Sequence, residues 1–318
     1  TGPIGFFLHT PFPPLDILRS MPPRREFLHW LCAYDLIGFQ TDVDRHAFIE
    51  SVRLEIGAHL GPRGLVKMGG QVIATGAFPI GADVKEIAGQ AARGQKSRQV
   101  RIFKESLEGR RLIIGADRLD YSKGLIERCH AYRYLLTTHP ELHGNIVYLQ
   151  VAEPSRTEVP EYRDVRRDLD LMAGEITGEF ARFDWMPMRY LSHRMRRTTL
   201  LAFLSVARVG LITPLRDGMN LVAKEFVAAQ NPRDPGVLVL SEMTGAARQL
   251  TRALLVNPYD IEGIGDAVAE ALVMPLAERR ERWETLFETV RRGDIHNWSE
   301  HYLDALAQAA AAQRERGR

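Results

Sequence analysis

Cysteine is almost missing from this 318-residue chain: Cys32 and Cys129 are its two, far apart and in apolar or helical surroundings. That scarcity excludes a disulfide framework, offers no zinc spacing and fits reduced, packed thiols. Long apolar runs are missing too; none approaches the roughly eighteen residues of a membrane helix, so no membrane partner is expected. An excess of one charge is also lacking. With 42 basic and 40 acidic residues the formal net charge is +2, which leaves no electrostatic reason to expect nucleic acid and makes any anion site a local one. The ten histidines are scattered with no His-Glu-x-x-His pair, so neither a dedicated metal site nor a cofactor is expected. No Gly-x-Gly-x-x-Gly opens a helix, and neither a Gly-x-x-x-x-Gly-Lys-Ser/Thr loop nor a Gly-x-Ser-x-Gly elbow occurs, which sets aside nicotinamide or flavin enzymes, triphosphatases and serine hydrolases. The chain opens on Thr1-Gly-Pro-Ile-Gly-Phe-Phe-Leu-His9, with no initiator Met, basic leader or cleavage site, and the location is read as cytoplasmic. Because Ile4–Leu8 already reads as a buried strand, the chain is expected to be truncated, beginning inside a fold.

What is present is an ordinary globular composition, 45% hydrophobic and 26% charged, over a length that exceeds one hydrophobic core. Short apolar segments alternate with longer helical patterns, which predicts an α/β protein with parallel sheets covered by helices. Strands are expected at Ile4–Leu8, Leu36–Gln40, Val72–Phe78, Arg111–Gly115, Ile146–Val151, Val209–Thr213, Val237–Ser241 and Leu254–Val256. Helices are expected at Asp42–Gly57, Lys123–Thr138, Val159–Gly178, Met219–Gln230 and Ile261–Val273. The Gln-, Arg- and Gly-rich stretch Gly89–Gln99 reads as a hinge. Beyond Pro275 one or two amphipathic helices run to about Ala312, ahead of a solvated basic tail, Gln313–Arg318. The domains are therefore expected at 1–88 and 89–280, with C-terminal helices over 281–318 that pack back toward the first domain.

In a doubly wound sheet the ligand lies outside the carboxyl ends of the strands, so the residues just after each strand are the ones to question. After Arg111–Gly115 comes Asp117-Arg-Leu-Asp-Tyr-Ser-Lys-Gly124, which puts Arg118 and Lys123 on one loop. Two cations there can neutralise a diphosphate, although such a pair in isolation is more often surface charge. After Val209–Thr213 comes Pro214-Leu-Arg-Asp-Gly-Met-Asn-Leu-Val-Ala-Lys-Glu225. Gly218 allows a tight backbone there, and the amides of Met219, Asn220 and Leu221 at a helix start can face an anion or a sugar hydroxyl. Glu225, two turns on, can accept both hydroxyls of a ribose. The plainer reading is Asp217 capping that helix with Glu225 merely solvated. His9 ends the first strand before the rigid Thr10-Pro-Phe-Pro-Pro14 turn, and Arg156 follows Ile146–Val151 at the same edge as Arg118.

Three of these phrases, Gly5-Phe-Phe-Leu-His-Thr-Pro-Phe-Pro13, Asp117–Gly124 and Pro214–Glu225, stand in the order in which they occur in the trehalose-6-phosphate synthases, which the chain resembles over nearly its whole length. Tyr34–Thr41, Phe78–Gly81, Pro235–Ser241 and Val256–Asp260 extend the likeness. The resemblance implies a retaining glucosyltransferase of GT-B type, glycosyltransferase family 20, with two facing Rossmann-like domains. The substrates it implies are a UDP-, ADP- or GDP-glucose donor and glucose 6-phosphate, with no metal; a homo-oligomer is left open. It assigns Arg118 and Lys123 to the donor diphosphate and Glu225 to the ribose. Asp217, Gly218, Met219, Asn220, Leu221 and Val222 would contact glucose hydroxyls and phosphate, His9 the transferred glucose, and Arg156 the phosphate of the acceptor. His9, Arg118, Lys123 and Asp217 form the implied catalytic set. The family's N-terminal portion, with its glycine-rich donor loop, has no counterpart here, so the N-terminal domain is expected to be incomplete and this polypeptide alone unstable or inactive. Alternatives are a glucosylglycerol-phosphate synthase or cyclitol-joining relative, and a non-catalytic module that binds nucleotide-sugar.

Overall fold

The computed structural model describes residues 2–155 and 158–316, which fall into two compact units, residues 1–81 with 293–318 and residues 82–292. The first begins with β1 (Gly5–Leu8), short helices α1 (Leu15–Leu18) and α2 (Arg24–Leu31), β2 (Leu36–Phe39) and α3 (Asp42–Ile56), followed by β3 (His59–Leu60), β4 (Val66–Met68) and β5 (Gln71–Ala77). The sheet runs β1-β2-β5-β4-β3. Strands β1, β2 and β5 are parallel, and β4 and β3 turn back antiparallel. Apolar side chains from β2, β5, α2 and α3 close a core around Phe12, Phe39 and Phe48, whose rings meet at 5.3–6.1 Å. Thr41 caps α3 by accepting from the Asp44 amide. Asp44 in turn accepts from the Phe12 amide at 3.0 Å, so the proline-rich turn after β1 is tied to a helix start.

The second unit holds α4 (Val84–Gln95), α5 (Arg98–Glu105), β6 (Arg111–Arg118), α6 (Leu125–Thr138), β7 (Ile146–Glu153), α7 (Pro160–Phe180), β8 (Met188–Leu191), α8 (Arg197–Val206), β9 (Val209–Ile212), α9 (Leu221–Ala229), β10 (Val237–Ser241), β11 (Leu254–Val256), α10 (Ile261–Val273) and α11 (Leu276–Arg292). Its six strands are all parallel, in the order β11-β10-β9-β6-β7-β8. Counted from β6, that is the doubly wound order in which the chain reverses direction between its first and fourth strands, here β6 and β9. Helix α12 (Ile295–Arg316) returns to the first unit, where Trp298 donates to the Phe78 carbonyl and Tyr302 covers Gly5 and Gly38.

Every strand expected from an apolar run is present. The short β3 and β4 and the four-residue edge strand β8 carry too little apolar alternation to stand out. One expectation is corrected. The stretch Gly89–Gln99 is no hinge: it forms most of α4 and the start of α5, with Asp83 and Ser97 as caps. Its Gly94 lets α4 lie against α8, since a Cβ there would sit 2.1 Å from the Thr198 carbonyl oxygen. The units divide at 81/82 and 292/293, whereas the composition placed the boundaries at 88/89 and 280/281. The last segment is helical as far as Arg316.

A glycine inside a helix normally gains about 1 kcal/mol on replacement by alanine. Gly94→Ala is expected to do the reverse and destabilise by about 1–3 kcal/mol through overpacking against backbone. The midpoint of urea denaturation at unchanged slope checks this, and a stabilised variant would contradict the packing argument.

Candidate active site

The site grows from the two strands that flank the point of reversal. β6 is buried from Leu112 to Asp117 and surfaces at Arg118, which is exposed and has no ion-pair partner among the described residues. The chain then turns on Asp120. Its carboxylate accepts from the Ser122 amide at 2.8 Å, the Ser122 hydroxyl at 2.7 Å and the Tyr162 hydroxyl at 3.2 Å. Burial opposes its charge, yet these donors hold the carboxyl below its ordinary range. The turn over Tyr121–Lys123 is a short 3-10 helix, so α6 starts at Leu125 and not at Lys123. Gly124 joins them with φ +63°, and a Cβ there would lie 2.2 Å from the Thr213 carbonyl oxygen. A left-handed backbone this close to another chain segment admits only glycine.

The facing loop, 213–220, follows β9. It is fixed on one side by the Leu215 amide donating to Ser122 O at 2.8 Å. On the other side the Gly245 amide donates to Asp217 O and the Ala246 amide to Met219 O. Asn220 adopts φ +71°, an uncommon conformation for a residue with a side chain, and spends that side chain twice. Its Oδ1 caps α9 by accepting from the Ala223 amide at 3.0 Å, and its Nδ2 donates to Asp217 Oδ2 at 3.1 Å. The cap is thus Asn220, not Asp217, and α9 begins at Leu221. Among the described residues the first-turn amides without a partner are those of Leu221 and Val222, while Met219 packs into the core.

Lys123 Nζ reaches Asp217 Oδ2 at 2.6 Å, each side chain 13% exposed, so the two loops meet in an ion pair across the point of reversal. Sequence reasoning placed both residues at the site but did not foresee that they compensate each other. Beneath them lies Arg128 of α6, fully buried. It donates to Asp117 Oδ2 at 2.5 Å, Lys123 O at 2.6 Å, Leu211 O at 3.1 Å and Gly124 O at 3.4 Å. Burial works against the guanidinium's charge, and the Asp117 carboxylate more than restores it. Arg128 was missed because a cation on a helix pattern reads as solvated; the only signal was its place on the helix's otherwise apolar face.

Glu225 lies on α9, and its Oε1 accepts from Arg197 Nη2 at 2.8 Å. Arg197, at the start of α8, was also missed. Glu153 at the end of β7 accepts from the Met195 amide at 3.0 Å and so fixes the loop after β8. Arg156 lies outside the described residues. His9 belongs to the other unit, at the end of β1, where Gln40 faces its ring. Among the described residues no group of three His, Cys, Asp or Glu side chains is arranged to hold a metal, and no helix is long and apolar enough to cross a membrane.

A doubly wound parallel sheet with cations, a helix start and a carboxylate-bearing helix at its point of reversal defines an α/β protein whose ligand edge lies at the carboxyl ends of its strands. Comparison narrows the class. The sequence model of Glycosyltransferase family 20 matches residues 2–308, and the chain belongs to that family. It is 46% identical over 303 residues to the trehalose-6-phosphate synthase of Sodalis glossinidius, covering 95% of this chain and 64% of that protein. The chain thus spans somewhat under two thirds of the length of such curated relatives. Among solved structures, the alpha,alpha-trehalose 6-phosphate synthase of Burkholderia multivorans superposes with TM-score 0.96 at 45% identity, covering 99% of this chain and 67% of that one. An E. coli structure bound with UDP-2-fluoro glucose gives 0.93 at 44%, covering 96% and 67%. The fold class is α/β of GT-B type, as the resemblance implied.

Removing Arg128 strands a buried carboxylate and the carbonyls it serves. Arg128→Met is expected to cost about 3–5 kcal/mol of stability. Adding Asp117→Leu should recover only part of this, since Lys123 O and Leu211 O still lack a donor. Chemical denaturation of the single and double variants checks both statements, and a single variant within about 1 kcal/mol of the parent would remove Arg128 from this role.

Proposed function

We propose that the chain carries the donor side of a retaining glucosyltransferase that moves glucose from a nucleotide-glucose to glucose 6-phosphate, forming trehalose 6-phosphate. The observation that carries the reading is the Lys123–Asp217 pair bridging the loops after β6 and β9, with Arg118 exposed beside it. As the bond from the anomeric carbon to the donor phosphate breaks, negative charge grows on the diphosphate and positive charge on the sugar ring. Groups already placed where the negative charge develops stabilise the transition state more than the ground state. Lys123 and Arg118 supply those groups, and the Leu221 and Val222 amides add a helix start. Asp217 keeps Lys123 in place and compensated while the site is empty. Glu225, oriented by Arg197, is the partner for ribose hydroxyls, and Arg156 is the residue for the acceptor's phosphate.

The donor reading favours UDP-glucose, because family relatives include a UDP-forming Burkholderia xenovorans synthase in complex with glucose-6-phosphate and the E. coli protein bound with UDP-2-fluoro glucose. A cytoplasmic location suits phosphorylated substrates and two free, buried thiols. The two cations take the part a divalent metal plays in other nucleotide-sugar enzymes, so EDTA is expected to change turnover less than twofold.

The deciding test offers the full-length gene product UDP-, ADP- or GDP-glucose with glucose 6-phosphate or glycerol 3-phosphate and identifies products by mass spectrometry. A phosphorylated disaccharide supports the reading. Glucosylglycerol phosphate moves the protein to a sister activity, and donor binding without product makes it a binding module. In the same assay Lys123→Ala should lower turnover at least tenfold, about 1.4 kcal/mol of barrier; unchanged turnover in a folded variant would remove Lys123 from the leaving-group site.

A further inference from the structure

We propose that Gln40 is a positioning residue that holds the His9 ring in one tautomer, with its proton on Nε2, so that the imidazole offers a sugar one N–H donor and no acceptor. The part of this inference that concerns the sugar rests on the function proposed above; the tautomer does not.

Gln40 follows β2 and is 1% exposed, so its amide has no solvent with which to exchange partners. Its Oε1 accepts from the Ile80 amide at 3.0 Å. A backbone N–H can only donate, so the Gln40 atom facing Ile80 must be the oxygen, and the atom facing His9 must be the NH2 group. That group lies 2.6 Å from His9 Nδ1. An amide NH2 also only donates, so Nδ1 has to present its lone pair, and the neutral ring carries its proton on Nε2.

The backbone keeps the ring there. His9 closes β1, which is paired in register with β2, and the following turn is held by the Phe12 amide donating to Asp44. Phe78, just before Ile80, is itself anchored by its amide to the Phe39 carbonyl at 2.7 Å. Gln40 therefore joins three segments, the ends of β1, β2 and β5, through one side chain. His9 is an exposed residue, and with Nδ1 turned to the buried Gln40 the nitrogen left for a ligand is Nε2. In this tautomer Nε2 donates to a hydroxyl oxygen of the transferred sugar and has no lone pair with which to take a proton, so His9 orients the sugar and does not act as a base.

The test compares the full-length protein with Gln40→Glu and Gln40→Met, labelled with ¹⁵N-histidine, using long-range ¹H–¹⁵N correlation at a pH where His9 is neutral in the parent. The parent should show a pyridine-like Nδ1 and a pyrrole-like Nε2 in a single form. In Gln40→Glu the carboxylate accepts from Ile80 and can only accept from the ring as well, so Nδ1 should become protonated. Gln40→Met, which keeps the bulk and removes the donor, should relax to a mixture, and it stands in if the glutamate variant does not fold. Turnover of Gln40→Glu should fall at least tenfold, with donor affinity within twofold of the parent. A parent ring that is mixed or protonated on Nδ1 overturns the proposal, as does a Gln40→Glu ring with the parent pattern. A reversed tautomer with unchanged turnover overturns the positioning role. If the parent forms no product at all, the proposed function fails, and the nitrogen shifts still decide the tautomer.

Discussion

Parallel strands end in loops, and two loops that face each other across a point of reversal have nothing of their own to fix their separation. Here the separation is set by the Leu215 amide donating to Ser122 O and, from beneath, by Arg128. One guanidinium grips a carboxylate at the end of β6, two carbonyls at the end of the loop that follows, and a carbonyl of β9. Burying such a group is costly unless each of its protons has an acceptor, and the surroundings are built to meet that demand. Gly115 leaves room, since a Cβ there would lie 2.7 Å from Arg128 Nη1 and from Gln150 Oε1. Gln150 accepts from Tyr148 and donates to the Gly115 and Val151 carbonyls, which closes the buried polar cluster. The ion pair of Lys123 and Asp217 sits on this platform, and its 2.6 Å separation reflects backbone positions set from below.

The strands were legible because a parallel strand covered on both faces is a continuous apolar run, as in Val237–Ser241, which is buried throughout. Their ends were legible for the same reason: where the run stops, the ligand edge begins, and Arg118, Asp217 and Gly218 fall there. What the sequence hides is any feature whose meaning depends on a distant neighbour. Gly94 looks like linker chemistry, yet it makes room for Thr198 of another helix. Arg128 looks like surface charge until the carbonyls around it are known. Asn220 takes the cap that the plainer reading gave to Asp217, because a residue with positive φ ahead of Leu221 starts the helix later than the apolar pattern does. In each case the deciding partner is many residues away or the deciding variable is a backbone angle, and neither is written in local composition.

A common logic connects the charged groups of the second unit. Lys123 and Glu225, which the resemblance sets against diphosphate and ribose, are each already matched by an opposite charge, Asp217 and Arg197. A partly desolvated lysine with no counter-charge would be unfavourable in the empty protein, and at an effective dielectric constant near 20 one unit charge at 4 Å offsets about 4 kcal/mol. A ligand that draws on Lys123 must therefore offer more than the single carboxylate it competes with. A diphosphate offers that, because it carries more than one negative charge, and Arg118 has no competing partner among the described residues. A neutral sugar or a lone carboxylate does not. In the function proposed above the same pair sharpens the chemical step: the attraction of Lys123 to Asp217 is present before and after bond breaking, whereas its attraction to a departing phosphate grows as charge accumulates. Only that growing part lowers the barrier.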